Sequence, residues 1–304
     1  MMFGLRDKFD YLECALCGTL QIIETPDLSR YYPNNYYSLA DSPQIGLSNR
    51  FKSLFAARLA ATYFNHGRNP LGKYISFKRP WINQYFPRSL SQYKLGLNFH
   101  SRILDFGSGA GRLLLLLHYF GFRDLTGADA FIKSDIFYQN GVKIYKRNLA
   151  ELKPFYDLVM LHHTFEHLPN PLETLQQVYR LLQPGKFCLV RTPIVNFAWE
   201  KYGLNWVQLD PPRHLFLYTE KSFRLLIDKT KFKLEKVIYD SESFQFWGSE
   251  QYLQDIPLTD PRGFHGDISE SIFSPEQFAQ WDEHAEILNQ EARGDQACFY
   301  LRKA

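Results

Sequence analysis

Three features of this 304-residue chain predict an α/β fold built on a doubly wound, mostly parallel sheet. From residue 102 onward, short apolar runs alternate with helical stretches. A glycine-rich loop joins the first of these runs to the first of these helices. The runs are almost continuously apolar, as strands buried on both faces require.

Taken in order, Ile103 to Phe106 reads as a strand and Arg112 to Phe120 as a helix stopped by Gly121. Leu125 to Ala128, Val142 to Tyr145, Asp157 to Leu161 and Phe187 to Arg191 read as further strands. Between the last two lies a helix with Asn170 as cap, Pro171 at its first position and Glu173 three residues past the cap, ending at Pro184-Gly185. Lys221 to Lys229 is predicted helical and Leu234 to Tyr239 extended. Ser241 to Phe273 reads as irregular. The capping box Ser274-Pro275-Glu276-Gln277 then opens a helix with Phe278, Trp281, Ala285, Leu288 and Ala292 on one stripe, and Ala297 to Leu301 is a last strand that can enter antiparallel. The first 95 residues read as an N-terminal extension, mostly irregular and Tyr-rich (Tyr31 to Tyr37). Its one predicted helix follows Ser48, with Phe51, Leu54, Phe55, Leu59 and Tyr63 at helical spacing and Arg50, Lys52 and Arg58 on the wet side. Residues 96–304 form the second unit, with an irregular insertion at about 241–273.

Composition narrows the function classes. Lys+Arg of 35 against Asp+Glu of 32 is too balanced for a protein that tracks nucleic-acid phosphates. The longest apolar run near the middle, Leu113 to Leu117, is far below the roughly 20 residues that span a bilayer. The N-terminus carries no signal-peptide pattern, so a cytoplasmic protein with no membrane span is expected. The four cysteines are expected to stay reduced. The 26 Phe and 19 Tyr read first as core and second as pocket lining.

The sharpest motif is Leu104-Asp105-Phe106-Gly107-Ser108-Gly109-Ala110-Gly111, which follows a strand and opens a helix. The glycines allow a tight turn and close approach to a ligand, and the helix supplies unpaired N–H groups. A dinucleotide loop wants its third glycine one position later, where Arg112 stands, and Asp105 is poorly suited to a pyrophosphate. Two like charges about 4 Å apart repel by roughly 4 kcal/mol at an effective dielectric near 20. A ligand with a cationic end, such as the ammonium and sulfonium of S-adenosylmethionine, reverses that sign. Asp129, at the end of the next strand, is placed to accept hydrogen bonds from ribose hydroxyls.

On these residues the chain resembles class I S-adenosylmethionine-dependent methyltransferases. The motif at 103–111, the run Asp157-Leu158-Val159-Met160-Leu161-His162-His163-Thr164-Phe165-Glu166-His167-Leu168 and Leu181-Leu182-Gln183-Pro184-Gly185-Lys186 carry the resemblance. Pro212 to Thr219 is similar to the branch acting on small molecules and glycans. The resemblance implies a Rossmann-like sheet of seven strands with the last one antiparallel. It implies S-adenosylmethionine as cofactor, with Asp105, Gly107 and Gly109 on the methionine part, Asp129 on the ribose and Asn148 on the adenine. Ser108 and Gly111 of the same loop, and His162 at the strand end beside the donor, are the further candidate cofactor residues, although His162 also reads as strand-end packing. Cys14-Ala15-Leu16-Cys17-Gly18 looks like half of a zinc knuckle, and Tyr11 to Tyr37 resembles the second half of a zinc-binding module found ahead of methyltransferases in sugar and glycan pathways. No second cysteine pair precedes it, so a degenerate or truncated module without zinc is expected.

Ligands of open parallel sheets bind beyond the carboxyl ends of the strands, which brings His162 to His167 to the site. A hydroxyl acceptor must lose a proton, and imidazole suits that role at neutral pH. His163 is expected as base or substrate ligand. His214, in the loop Asn205 to His214, is the second candidate; Trp206 offers a stacking face and Arg213 an anion clamp. His163, Glu166 and His167 share one face of a helical turn at a spacing that suits a metal ion. The expectation is nevertheless that Glu166 and His167 cap and orient the turn, with no metal bound. The function predicted is methyl transfer to a small-molecule acceptor (a sugar, glycan or lipid-like compound), with no nucleic-acid partner. The alternatives are a non-catalytic methyltransferase-like interaction protein and, less well supported, an NAD-linked oxidoreductase. The acceptor atom and the oligomeric state are left open.

Overall fold

A computed structural model of the chain describes residues 2, 4–32, 51–67, 69–264, 267 and 271–304. The elements in order are β1 (Tyr11–Glu13), β2 (Leu20–Ile22), α1 (Phe51–His66), α2 (Pro70–Lys78), α3 (Pro80–Tyr85), α4 (Arg88–Ser91), β3 (Arg102–Phe106), α5 (Arg112–Tyr119), β4 (Asp124–Ala128), β5 (Ile136–Phe137), β6 (Lys143–Tyr145), β7 (Tyr156–His162), α6 (Pro171–Leu181), β8 (Leu182–Pro193), α7 (Phe197–Tyr202), β9 (Phe216–Leu217), α8 (Glu220–Ile227), β10 (Phe232–Tyr239), α9 (Phe244–Leu253), α10 (Pro275–Gln290) and β11 (Gln296–Lys303).

The main sheet has the order β10-β11-β8-β7-β3-β4-β6-β5. The pairs β3–β4, β3–β7, β4–β6 and β7–β8 are parallel. β11 runs antiparallel to both β8 and β10, as the sequence predicts for a late-entering strand. The eighth strand, β5, is a two-residue antiparallel edge on β6 that lacks the length to show as an apolar run.

Alternation along the strands divides the core into two layers. Ile103, Leu158, Met160, Leu189, Cys298 and Tyr300 face one layer, which α1 and α5 cover with Ala57, Ala60, Leu114 and Leu117. Their neighbours Leu104, Val159, Leu161, Val190, Phe299 and Leu301 face the other, covered by Leu175 and Val178 of α6 and Phe223 of α8. Phe223 stacks on Phe299 with ring centroids 3.9 Å apart. Burying each such ring stabilises the fold by about 1.5–3 kcal/mol.

Several elements differ from the sequence reading. In α1 the buried stripe is Ala56, Ala57, Ala60 and Ala61, whereas Phe55 is exposed. A different face of α1 meets α2, where Gly72 allows a close crossing: a Cβ there would lie 2.3 Å from the Leu59 carbonyl oxygen. Lys52 is exposed, Arg58 is only half-buried, and Tyr36, Tyr37, Ser48 and Arg50 lie outside the described residues. The N-terminal region is less irregular than expected, holding α2 to α4 and the β1–β2 hairpin. α6 stops at Leu181, and Pro184-Gly185 falls inside β8, where Gly185 takes a positive φ. Asn170 makes no side-chain cap, and Glu173 accepts from Gln177 instead. The stretch after Ser241 is not wholly irregular, since it contains α9. The Ser274 capping box forms as predicted, with both reciprocal bonds.

β9 belongs to a second, small sheet of order β1-β2-β9. The N-terminal hairpin thus joins the segment preceding α8, and Leu20, Trp206, Leu217 and Phe246 share a third apolar cluster with α10. This cluster lies under the loop that carries Arg213 and His214. Among the described residues, no helix is long and apolar enough to cross a membrane.

Candidate functional site

A cavity of about 940 Å³ opens at the carboxyl ends of β3, β4, β7 and β8. That volume is at the upper end of the range for ligand pockets, about 300–1,000 Å³, and leaves room for two ligands side by side. Of the residues predicted for the site, Gly107, Asp129, Asn148, His162, His163 and His214 line it. Asp105, Ser108, Gly109 and Gly111 stand behind this lining and shape it.

The glycine loop is held by its own backbone. Gly107 N–H and Ser108 N–H donate to the Ala128 carbonyl, Gly111 N–H to Ser108, and Gly109 N–H to Asp129 Oδ2 at 2.9 Å. Asp129 Oδ1 also accepts from Phe131 N–H at 2.8 Å. Asp129 therefore ties the loop to the end of β4 while its carboxylate borders the cavity. Gly107 has φ +78, and a Cβ there would come within 2.2 Å of the Thr164 hydroxyl oxygen. Gly111, at φ +87, would strike Ile144 at 2.5 Å. One glycine thus keeps the cavity wall thin, and the other lets α5 approach β6.

Asp105 is 4% exposed. Burial, reinforced by the charge of Asp129, pushes its carboxyl up to about 8. A buried carboxyl in this condition favours a cationic ligand, whose charge restores ionisation. His162 is pushed down to about 3 by burial and the neighbouring Arg191. Its Nε2 has no hydrogen-bond partner, although the residue lines the cavity. Asn148 N–H donates to Glu151 Oε2 at 2.8 Å, which fixes the turn after β6. Phe131 is 61% exposed at the cavity edge and stacks on Tyr32 at 5.4 Å. Tyr32 belongs to the Tyr-rich run of the N-terminal extension, where nothing local ties it to the site; Phe131 is marked only by its position two residues beyond Asp129.

The opposite wall is built from distant segments. His163 has φ +48 and presents Nε2 to Arg191 Nη1 at 2.6 Å. A guanidinium can only donate, so Nε2 is the acceptor and the proton sits on Nδ1. Arg191 is itself held by Asp240 Oδ2 at 2.7 Å, and Asp240 Oδ1 accepts from Gln296. His214 Nδ1 lies 2.7 Å from the Gln208 carbonyl and His167 Nδ1 lies 2.8 Å from the Arg213 carbonyl, so both Nδ1 atoms donate. Burial is the main cause that lowers both imidazoles to about 4. Glu166 is 0% exposed. Burial would raise its carboxyl, but the nearby imidazoles hold it down to about 2. Its Oε2 accepts from the Thr192 hydroxyl at 3.0 Å, so it is Thr192, not the turn, that Glu166 engages.

The loop Asn205 to His214 overhangs the cavity as expected, but two of its side chains differ in role. Trp206 is wholly buried, its Nε1 donating to Asp295 Oδ2 at 2.9 Å, and it presents no stacking face. Arg213 is engaged by Asp210 and lies 5.8 Å from the Tyr32 ring. Phe244, Trp247, Tyr252 and Phe264 supply an apolar wall, so the aromatic excess serves both core and pocket. Cys14 and Cys17 sit in the β1–β2 turn, where Gly18 N–H donates to the Cys14 carbonyl at 2.7 Å. Hydrogen bonding from Thr19 lowers the Cys17 thiol.

A family model for a methyltransferase domain matches residues 68–237. The chain belongs to this methyltransferase family. The methyltransferase class expected from the sequence agrees with that assignment. No curated protein sequence matches the chain. Similar solved structures include a putative methyltransferase from Bacillus halodurans (16% identity, 69% of this chain and 95% of that one, TM-score 0.40). A SAM-dependent methyltransferase from Archaeoglobus fulgidus (17%, 76% and 94%, 0.41) and a cyclopropane synthase from Mycobacterium tuberculosis (15%, 69% and 80%, 0.44) are others.

Proposed function

We propose that this methyltransferase acts on a small-molecule or glycan acceptor, with the cofactor on the Asp105–Gly107–Asp129 side of the cavity and the acceptor against the histidines. The observation that carries the reading is the division of one cavity between these two walls. The cofactor fits the first wall on three counts: the cradle at Gly107 that a Cβ would fill, the buried carboxyl of Asp105, and the unpartnered Nε2 of His162. When bound, S-adenosylmethionine supplies a methyl group on a sulfonium, already a good leaving group. The protein then has to align the acceptor and remove its proton.

Asp105, Gly107, Ser108, Gly109, Gly111, Asp129, Asn148 and His162 are the proposed cofactor residues. His163 and His214 are the proposed base or positioning groups; Nε2 of His163 is unprotonated but accepts from Arg191, so taking the acceptor's proton exchanges that bond. An aromatic wall of Phe244, Trp247, Tyr252 and Phe264 favours compact acceptors with an apolar or sugar-ring face. The balanced net charge of +3 favours a site for small molecules over one for nucleic acid. Residues 1–95 act on this reading as an extension, carrying a zinc-module remnant, on a catalytic unit of residues 96–304, in a cytoplasmic protein.

Thermal unfolding with S-adenosylmethionine, S-adenosylhomocysteine and NAD tests the cofactor side. The first two should raise the midpoint, with a stabilisation of about 2.7 kcal/mol at a hundredfold excess over Kd, and NAD should not. A screen of sugars, glycans and lipid-like alcohols with labelled methyl donor tests the acceptor side. Labelling of none of these classes, or labelling only of nucleic acid or protein, would overturn the reading.

A further inference from the structure

We infer that Glu166, His167 and His214 form a binding site for one divalent transition-metal ion, open toward the cavity. Glu166 sits in the 3-10 turn Phe165–His167 that follows β7, and His214 comes from the overhanging loop. One ligand atom from each lies within 4.8 Å of the other two.

The argument is one of unmatched acceptors. Both imidazoles spend Nδ1–H on main-chain carbonyls, at Arg213 and Gln208, and are left with an Nε2 lone pair. Glu166 Oε1 is buried and without a hydrogen-bond partner. It faces His214 Nε2 at 3.9 Å, a nitrogen that also lies 3.7 Å from Asp210 Oδ2; the protonated Nδ1 of His163 is directed at Oε1 but, at 3.6 Å, is too far to satisfy it. Acceptors of this kind converging in a buried place repel one another, and an unsatisfied buried carboxylate oxygen is costly. A cation at their centre resolves both problems. The carbonyl bonds to Nδ1 are also the arrangement that orients imidazoles as metal ligands, and Thr192 does the same for the carboxylate.

Two nitrogen ligands and one oxygen favour Zn²⁺, Co²⁺, Fe²⁺ or Mn²⁺ over Mg²⁺ or Ca²⁺. With metal–ligand bonds near 2.1 Å, loading would draw the three side chains together by about 1 Å or less. Three protein ligands leave coordination positions free, and His167 and His214 both border the cavity. Those positions would take an oxygen of the acceptor; this second statement rests on the methyltransferase reading, and the metal site itself does not. His214 becomes a ligand, which leaves His163 as the base.

The test is titration of metal-stripped protein with Co²⁺, followed by visible absorbance, in a C14S/C17S background that removes the thiol pair. One equivalent should bind with d–d bands, and Zn²⁺ should displace it. E166Q and H214Q should each weaken binding by a hundredfold or more, and H163Q by less than threefold. X-ray absorption on the zinc-loaded natural chain, which needs no site variant, should show nitrogen and oxygen neighbours. No stoichiometric Co²⁺ uptake, uptake unchanged by E166Q and H214Q, or a sulfur-only zinc shell would each overturn the inference. S-adenosylhomocysteine affinity, measured in parallel, reports separately on the methyltransferase reading. Its loss in natural protein with the cobalt bands intact would defeat that reading and spare the metal site.

Discussion

The two walls of the cavity are built in contrasting ways. The wall proposed for the cofactor is local: Asp105 to Gly111 is one uninterrupted stretch, tied down by Asp129 at the end of the adjacent strand. The wall proposed for the acceptor is a meeting of segments remote in sequence. Arg191 reaches His163, Trp206 reaches Asp295, and the Tyr11 hydroxyl donates to the His214 carbonyl at 2.7 Å across 203 residues. A wall made from one strand–loop–helix unit is fixed as soon as that unit folds. A wall made from five segments is only as ordered as the packing that unites them, and it can change partners without disturbing the other.

If this contrast holds, damage to one wall should leave the other's function intact. The largest effect is expected from Asp105→Asn. Isothermal titration should show S-adenosylmethionine affinity lower by about a hundredfold or more, the scale of the roughly 4 kcal/mol charge interaction at stake. The same substitution should stabilise the unliganded protein. Asp105 titrates near 8 when folded and near 3.8 when unfolded, so the folded form carries a proton that the unfolded form has lost. That cost grows as pH rises between those values, and the asparagine does not incur it. The gain in unfolding midpoint should therefore be larger at pH 8 than at pH 5. Equal affinity, or a gain independent of pH, would break the assignment of Asp105.

Next in size, His163→Ala should lower turnover by about 10²–10⁴-fold, the usual contribution of a positioned base. Cofactor affinity should stay within about twofold by titration. A parallel fall in both would mean that the walls are not separable. Tyr11→Phe removes one hydrogen bond beneath His214, worth about 0.5–1.5 kcal/mol. It should change acceptor kinetics about two- to tenfold with no effect on cofactor binding, and steady-state assays with each substrate varied will show it. The smallest signal is proton release. Titration of cofactor at pH 7 in buffers of different ionisation enthalpy should report up to one proton leaving Asp105 on binding, and none from the asparagine variant.

The same contrast explains how far the sequence could be read. Every strand of the main sheet except β5, together with the glycine loop, is legible because the signals, apolar runs and a run of close-set glycines, are contiguous; the two-residue strands β5 and β9 are too short to leave such a signal. The histidines were legible as candidates, but not their partners, since neither Arg191–Asp240 nor Thr192–Glu166 has a local pattern. Trp206 was misread because an aromatic side chain in a Pro-rich loop has the same sequence appearance in a core as in a pocket. α9 was missed for a related reason. It buries Gln245, Ser249 and Gln251 alongside Phe246 and Tyr252, so no apolar stripe marks a face. The Pro184-Gly185 pair, normally a helix stop, lies three residues beyond the true end of α6, inside a strand that tolerates it.

The position of β11 between β8 and β10 has a further consequence. The strand is a keystone: β8 and β10 run the same way and bond to it, not to each other. A nascent chain still lacking Gln296–Lys303 holds two open edges, which carry the apolar runs Cys188-Leu189-Val190 and Val237-Ile238-Tyr239. Such edges recruit strands from other molecules. Deleting these eight residues should therefore yield aggregated protein instead of a frayed monomer.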